Sequence, residues 1–170
     1  MKHGLINLLK KIFTKYQFVV CSRNMTNNDK NSLYWKIAEK YNIKQILKEN
    51  PTLTIQGEQG DTNVQGNKYG IKEPTMWVFN IIDHEKNYHY NYREMLYFCE
   101  KNRLQYVPRI SSDYLKNYGS TVQELVEFSK GKSLLANIPR EGIVVRCIEN
   151  GKKLLSFKVI NTDFLLYFNE

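Results

Sequence analysis

Asn150-Gly151 constrains this chain more than any other pair of residues. Two β-rich runs, Gly142 to Ile148 and Lys153 to Ile160, flank Glu149-Asn150-Gly151-Lys152. Asn-Gly in a two-residue loop is the strongest short hairpin signal, because both central residues need positive φ. Such a loop pairs Glu149 with Lys152. Regular pairing then sets Glu141 opposite Ile160 and Ile143 opposite Lys158. Parity places Glu141 and Lys158 on one face as diagonal neighbours, with Cβ atoms within about 7–8 Å. Arg146 falls on the other face. A carboxylate and an ammonium at that separation can share a metal–triphosphate ligand: Glu141 reaches the cation or its waters, and Lys158 a phosphate oxygen. The plainer alternative is a cross-strand salt bridge. A one-residue slip or a bulge breaks the register.

The second informative stretch is Leu53 to Gly70, LTIQGEQGDTNVQGNKYG. Leu53 and Ile55 alternate with Thr54 and Gln56, the period of a half-buried strand. Gly57 interrupts the apolar face, and Glu58 ends the strand on the polar side. Gly60, Asp61, Asn63, Gly66 and Asn67 make a polar loop, with Lys68 and Tyr69 at its exit. Glycines let backbone N–H groups approach a ligand, and a glutamate accepts hydrogen bonds from hydroxyls. A Gly/Asn-rich turn between two strands fits the same residues.

Composition narrows the class. A chain of 170 residues with 42% hydrophobic and 13% aromatic residues fits one globular domain. The net charge of +8 and pI near 9.3 favour an anionic partner, nucleic acid or nucleotide. Cys21, Cys99 and Cys147 are far apart, odd in number and without a CxxC pair. That predicts reduced thiols in a cytoplasmic protein and no zinc site. His84 and His89 read as surface residues.

Residues 1–16, MKHGLINLLKKIFTKY, read as a basic amphipathic helix packed at the terminus. Asn7 and the Lys10-Lys11 pair break the apolar run, so it is no signal peptide, and no run approaches transmembrane length. No membrane partner is expected. Gln17 to Ser22 reads as a strand ending at Arg23, which can hold a phosphate or a ribose oxygen or stand as a solvated charge beside a turn. Ser32 to Lys40 reads as a helix. Asn42 caps a second helix that stops before Pro51. Tyr34 and Trp35 read as core. Thr75 to Asp83 is a strand on which Phe79 shares a face with Trp77 and Ile81. Phe79 is a core residue or a stacking surface for a purine. Asn91 to Asn102 and Thr121 to Lys130 are helices opened by capping boxes, Asn91 with Glu94 and Thr121 with Glu124. Leu104 to Ile110 reads as a short strand.

Taken in chain order, these pieces resemble the covalent nucleotidyltransferase superfamily and, within it, the ATP-dependent RNA ligases. Ser22-Arg23-Asn24 resembles the motif whose Arg contacts the nucleotide. IQGE, ending at Glu58, resembles the strand whose Glu binds the ribose, and DTNVQGNKY is similar to the GNKY loop of one RNA ligase family. WVFNI resembles the motif whose aromatic, here Phe79, stacks on adenine. REGIVVR resembles the EGxVxR motif whose Glu, here Glu141, serves the divalent metal. SFKVI resembles the final motif, whose Lys, here Lys158, contacts the α-phosphate. The resemblance spans residues 17–170 and leaves 1–16 outside it.

The resemblance implies an α+β fold: antiparallel sheets around a nucleotide-binding cleft with flanking helices, a partial nucleotidyltransferase or ATP-grasp-like ligase domain. It implies ATP and Mg²⁺ or Mn²⁺ as cofactors and broken or nicked RNA as partner. Glu141 and Lys158 would be catalytic, Arg23, Glu58, Phe79 and Lys158 nucleotide-binding, and Glu141 the metal ligand. Two departures stand out. The nucleophilic Lys of the family's KxDG motif has no counterpart, since Lys2-His3-Gly4 lacks the Asp. Ile160 occupies the position of a second Lys in the final motif. An accessory C-terminal domain after the final motif is not expected. A truncated or split ligase, completed by a separate polypeptide carrying KxDG, is the leading expectation. A non-enzymatic nucleotide- or nucleic-acid-binding remnant is the rival. A DNA ligase or capping enzyme fits the GNKY loop less well.

Overall fold

The structure, a computed structural model, describes residues 17–62 and 65–169. The expected helix over 1–16 and Asn63 of the polar loop lie outside them. The chain divides into two compact units, 1–53 and 54–170.

The first unit is built on helices α1 (Leu33–Lys40) and α2 (Ile43–Glu49). Ile37, Ala38, Ile43 and Ile46 are their buried side chains. Asn42, expected as a cap, instead takes a left-handed conformation at φ 53 and makes no side-chain cap bond. Asparagine tolerates that region better than most residues, so it turns the chain between two helices. Trp35 is half-buried. Its Nε1–H donates to the Asn27 carbonyl at 2.8 Å and its ring meets Phe18 edge-on at 5.6 Å. The strand expected over 17–22 is reduced to one bridge, Cys21 with Thr26. The Ser22 N–H to Met25 carbonyl bond, 2.8 Å, closes a tight turn with Arg23 exposed at its tip.

The second unit holds two sheets. Strands β1 (Leu53–Gly60), β2 (Thr75–Asp83) and β3 (Tyr88–His89) lie in that order. β1 runs on through Gly57 to Gly60, past the expected end at Glu58. Thr54 meets His84 at 2.8 Å and Gln56 meets Asn80 at 2.7 Å. Rising numbers on β1 against falling numbers on β2 make the pair antiparallel. β2 and β3 are antiparallel through Ile82–His89 and Asp83–Tyr88.

Helix α3 (Tyr92–Lys101) packs on β2 and buries Met95, Phe98 and Cys99. Asn91 opens it with the expected capping box. Burial raises the Cys99 thiol to about 11. The strand expected over 104–110 is a single parallel bridge, Val78 with Tyr106. Helix α4 (Val122–Ser129) carries the second capping box and packs against the hairpin. Val122, at the first helical position, is exposed, and Ser129 at the other end is buried.

The hairpin joins β4 (Gly142–Glu149) to β5 (Lys152–Ile160), and α5 (Thr162–Phe168) follows. Asn150 at φ 49 and Gly151 at φ 74 form the expected turn. A Cβ on Gly151 would lie 1.9 Å from the Tyr88 ring, so only glycine lets β3 close on the turn. Glu149–Lys152 and Ile148–Lys153 pair as expected. Then Cys147 pairs with Leu155, leaving Leu154 as a bulge, and all later pairs shift by one. Lys158 therefore lies opposite Val144, not Ile143, and Arg146 opposite Ser156. The shift pairs Ile143 with Val159 and Val145 with Phe157, apolar on apolar. Ile143 and Val159 are both 8% exposed. Regular pairing would set Ile143 against a lysine, and burial of that face outweighs ladder regularity. The expectation that Arg146 lies on the face opposite Lys158 is thereby corrected: both alternate onto the face away from Ile143 and Val159.

Candidate functional site

Glu141 precedes β4, and its direction is set by Gly142. That glycine has φ 155, and a Cβ there would lie 2.1 Å from the Val159 carbonyl oxygen. With the register shifted, plain alternation would send Glu141 to the core face. The glycine turns the chain instead, and Lys158 Nζ donates to Glu141 Oε1 in a close ion pair. The carboxylate and ammonium thus meet as expected, by a different route from the one parity offered.

The backbone on both sides of Glu141 is tied down. Arg140 Nε donates to the Ser129 carbonyl at 2.7 Å, and its Nη2 to the carbonyls of Phe128 at 2.8 Å and Lys130. These are the orphan acceptors at the end of α4, so a charged donor fork closes the helix. Fully buried Asn161 donates from Nδ2 to the Arg140 carbonyl at 2.7 Å and from its N–H to the Glu141 carbonyl at 2.9 Å. Its Oδ1 accepts from Asp163 N–H at 2.9 Å and starts α5. Helix ends on either side therefore fix one carboxylate.

Tyr69 brings the polar loop to the same place. The Glu141 N–H donates to its hydroxyl at 3.4 Å, and its ring stacks on Phe164 at 6.4 Å. Burial pushes the Tyr69 phenol above its usual 10.0. Lys68 Nζ lies 5.1 Å from the Phe164 ring centre and 5.0 Å from that of Phe168. The ion pair itself stays open: Lys158 and Glu141 side chains are 48% and 47% exposed. Such pairs contribute about 0–1 kcal/mol, so a ligand can part them cheaply.

Phe79 is half-buried on β2. The Arg146 guanidinium carbon sits 5.4 Å from its ring centre, and Nη1 donates to its carbonyl. Arg146 thus ties the β4–β5 hairpin to the three-stranded sheet. Burial lowers its guanidinium pKa from the ordinary arginine value. Glu58 is exposed on β1, in the same sheet as Phe79. Arg23 belongs to the first unit. Tyr69 and Arg146 were missed as site residues. The tyrosine had a signal in its position at the loop exit and Arg146 in closing the EGxVxR stretch, but the face Arg146 takes was hidden until the bulge was known.

Solved RNA ligase structures share this fold. Naegleria gruberi RNA ligase with pyrophosphate matches at TM-score 0.73 and 22% identity, over 89% of this chain and 48% of that one. A mutant with AMP and manganese matches at 0.70 and 22%, over 88% and 47%. A mutant with ATP and manganese matches at 0.72 and 20%, over 89% and 48%. The chain spans about half the length of those proteins. A family model described as RNA ligase matches residues 9–160, and the chain belongs to the RNA ligase family. That match begins within segment 1–16. Curated protein sequences give no match.

Proposed function

We propose that this chain supplies the nucleotide-binding part of an ATP-dependent RNA ligase. In that reaction a lysine attacks the ATP α-phosphate and expels pyrophosphate, AMP passes from the lysine to an RNA 5′-phosphate, and a 3′-OH then displaces AMP. The observation that carries the reading is the open Glu141–Lys158 pair, held by Arg140, Asn161 and Tyr69. In the proposed complex Lys158 leaves Glu141 for an α-phosphate oxygen, neutralising charge that grows in the transition state. Phe79 offers a ring to adenine, and Arg146 fixes its orientation. Glu58 accepts hydrogen bonds from the ribose.

The donor set suits magnesium or manganese. Among the described residues no group of three or more His, Cys, Asp or Glu converges into a metal cage. One carboxylate completed by phosphate oxygens and water is how Mg²⁺ is commonly held beside a triphosphate. Glu141 would be that carboxylate, and the bound ion would polarise phosphate oxygens.

The 170 residues contain no KxDG sequence. We assign the nucleophile to a KxDG segment outside these 170 residues. The missing motif favours a second reading, a binding remnant without catalysis. Intact mass separates the two. The purified chain is incubated with ATP and Mg²⁺ or Mn²⁺, alone and with a KxDG polypeptide. No AMP on the chain alone, and AMP on the added polypeptide only when the chain is present, supports the split ligase. AMP on a lysine of the chain alone refutes the assignment of the nucleophile. No adduct in either mixture favours the remnant.

A further inference from the structure

The bulge at Leu154 re-aims one side of the hairpin. Val144, Arg146 and Ile148 alternate onto one face of β4. Their partners are Lys158, Ser156 and Lys153. Without the bulge, Lys153 and Lys158, five residues apart on β5, would point to opposite faces. With it they share a face with Arg146, in a row of cations roughly 16 Å long at about 3.3 Å per residue. Lys153 and Lys158 are exposed and Arg146 is half-buried.

At the tip of the row stands His89. Its N–H donates to the Gly151 carbonyl at 2.7 Å, which ties β3 to the turn, and its ring Nδ1 lies 3.5 Å from Asn80 Oδ1. The charged and titratable groups acting on it are Lys153 from β5, Arg146 from β4 and His84 beyond β2, all basic. Among the described residues Lys153 and Arg146 form no ion pair with a carboxylate; Arg146 is bound to a carbonyl and a ring. A fold that gathers bases without an acid among them suits a polyanion, because each phosphate relieves their repulsion.

We infer that this face of the hairpin is a track for the phosphodiester backbone of an RNA strand, running from Arg146 to Lys153 and His89. The occupant rests on the ligase reading, and the site lies beyond the proposed nucleotide contacts. Phosphate contacts of this kind position a strand without reading its bases. Burial and the neighbouring cations hold His89 below its ordinary 6.5 in the free protein. A bound phosphate offsets those cations, so the complex takes up a proton more readily. Affinity therefore rises as pH falls through the histidine range.

The test is fluorescence anisotropy with a labelled single-stranded RNA across a salt series. Lys153→Ala should weaken binding about threefold or more at low salt and reduce the log–log salt slope by about one. Lys101→Ala removes the same charge from the exposed surface of α3 and should leave the slope as it was. His89→Gln should flatten the pH dependence. An RNA affinity and slope unchanged by Lys153→Ala overturns the track, as does an equal effect of Lys101→Ala. So does an unmodified chain that fails to bind RNA at low salt. ATP binding by the unmodified chain is measured separately, so the nucleotide reading can fail while the track stands, and the reverse.

Discussion

Gly142→Ala tests the local geometry that directs Glu141. The new Cβ would lie 2.1 Å from the Val159 carbonyl oxygen and 3.1 Å from Ile160 Cα. Both are backbone atoms of the paired strand, so no rotamer change relieves them. Opening the pair exposes Ile143 and Val159, each 8% exposed in the fold. Overpacking of this kind costs roughly 1–3 kcal/mol. Holding alanine at φ 155 adds roughly 1–3 kcal/mol of backbone strain. The sum is a loss of about 2–6 kcal/mol in urea unfolding. Gly70→Ala is the control: φ is 65 there and no atom lies within 4 Å of the added Cβ. It should cost only the left-handed strain, about 1–2 kcal/mol. A Gly142→Ala protein that loses no more stability than Gly70→Ala would refute the reasoning, because the contact with Val159 would then contribute nothing.

Arg140→Met should destabilise by about 3 kcal/mol in the same assay, since it strips a charged donor from the carbonyls of Phe128, Ser129 and Lys130. Backbone N–H groups of Ser120 and Thr121 lower the Glu124 carboxyl below its ordinary 4.5. Their stabilisation is complete above that value and is lost as pH falls through the lowered one. Glu124→Gln should therefore be less stable than the unmodified chain at neutral pH, with the gap closing in acid. An unchanging gap would count against the capping role. Cys99 is fully buried with its thiol raised to about 11, whereas Cys21 and Cys147 are exposed. Iodoacetamide at mildly alkaline pH should label the latter two and spare Cys99 until the chain is unfolded, as peptide mapping would show.

Local signals were legible in the sequence, and long-range competition was not. Both capping boxes formed, because Asn91 and Thr121 need only a glutamate three residues on. The Asn150-Gly151 turn formed because its two φ values are intrinsic to those residues. The register beyond it was not legible. It depended on which residues of β4 and β5 meet the core, and Ile143 against Val159 decided that. The strands expected over 17–22 and 104–110 have the right composition and too little ladder to join. Helix α5 drew no expectation, since Phe164-Leu165-Leu166-Tyr167-Phe168 is apolar all round and shows no stripe. So short a helix depends on tertiary packing, here of Phe164 at 2% exposure. The carboxylate–lysine pair was legible from its motifs. Its geometry rests on Gly142 and on the Arg140–Asn161 network, which no spacing announces.

The most direct measurement of the central claim is calorimetric titration of the chain with ATP and Mg²⁺, repeated on Lys158→Met. Lys158 sits at the edge of an exposed ion pair, so its removal should leave the fold intact, which circular dichroism checks. A charge-assisted hydrogen bond to phosphate contributes roughly 1.5–3 kcal/mol. The account predicts that the unmodified chain binds ATP and that Lys158→Met weakens binding about 10- to 100-fold. Equal affinity in the two proteins, or no binding by either, would contradict it.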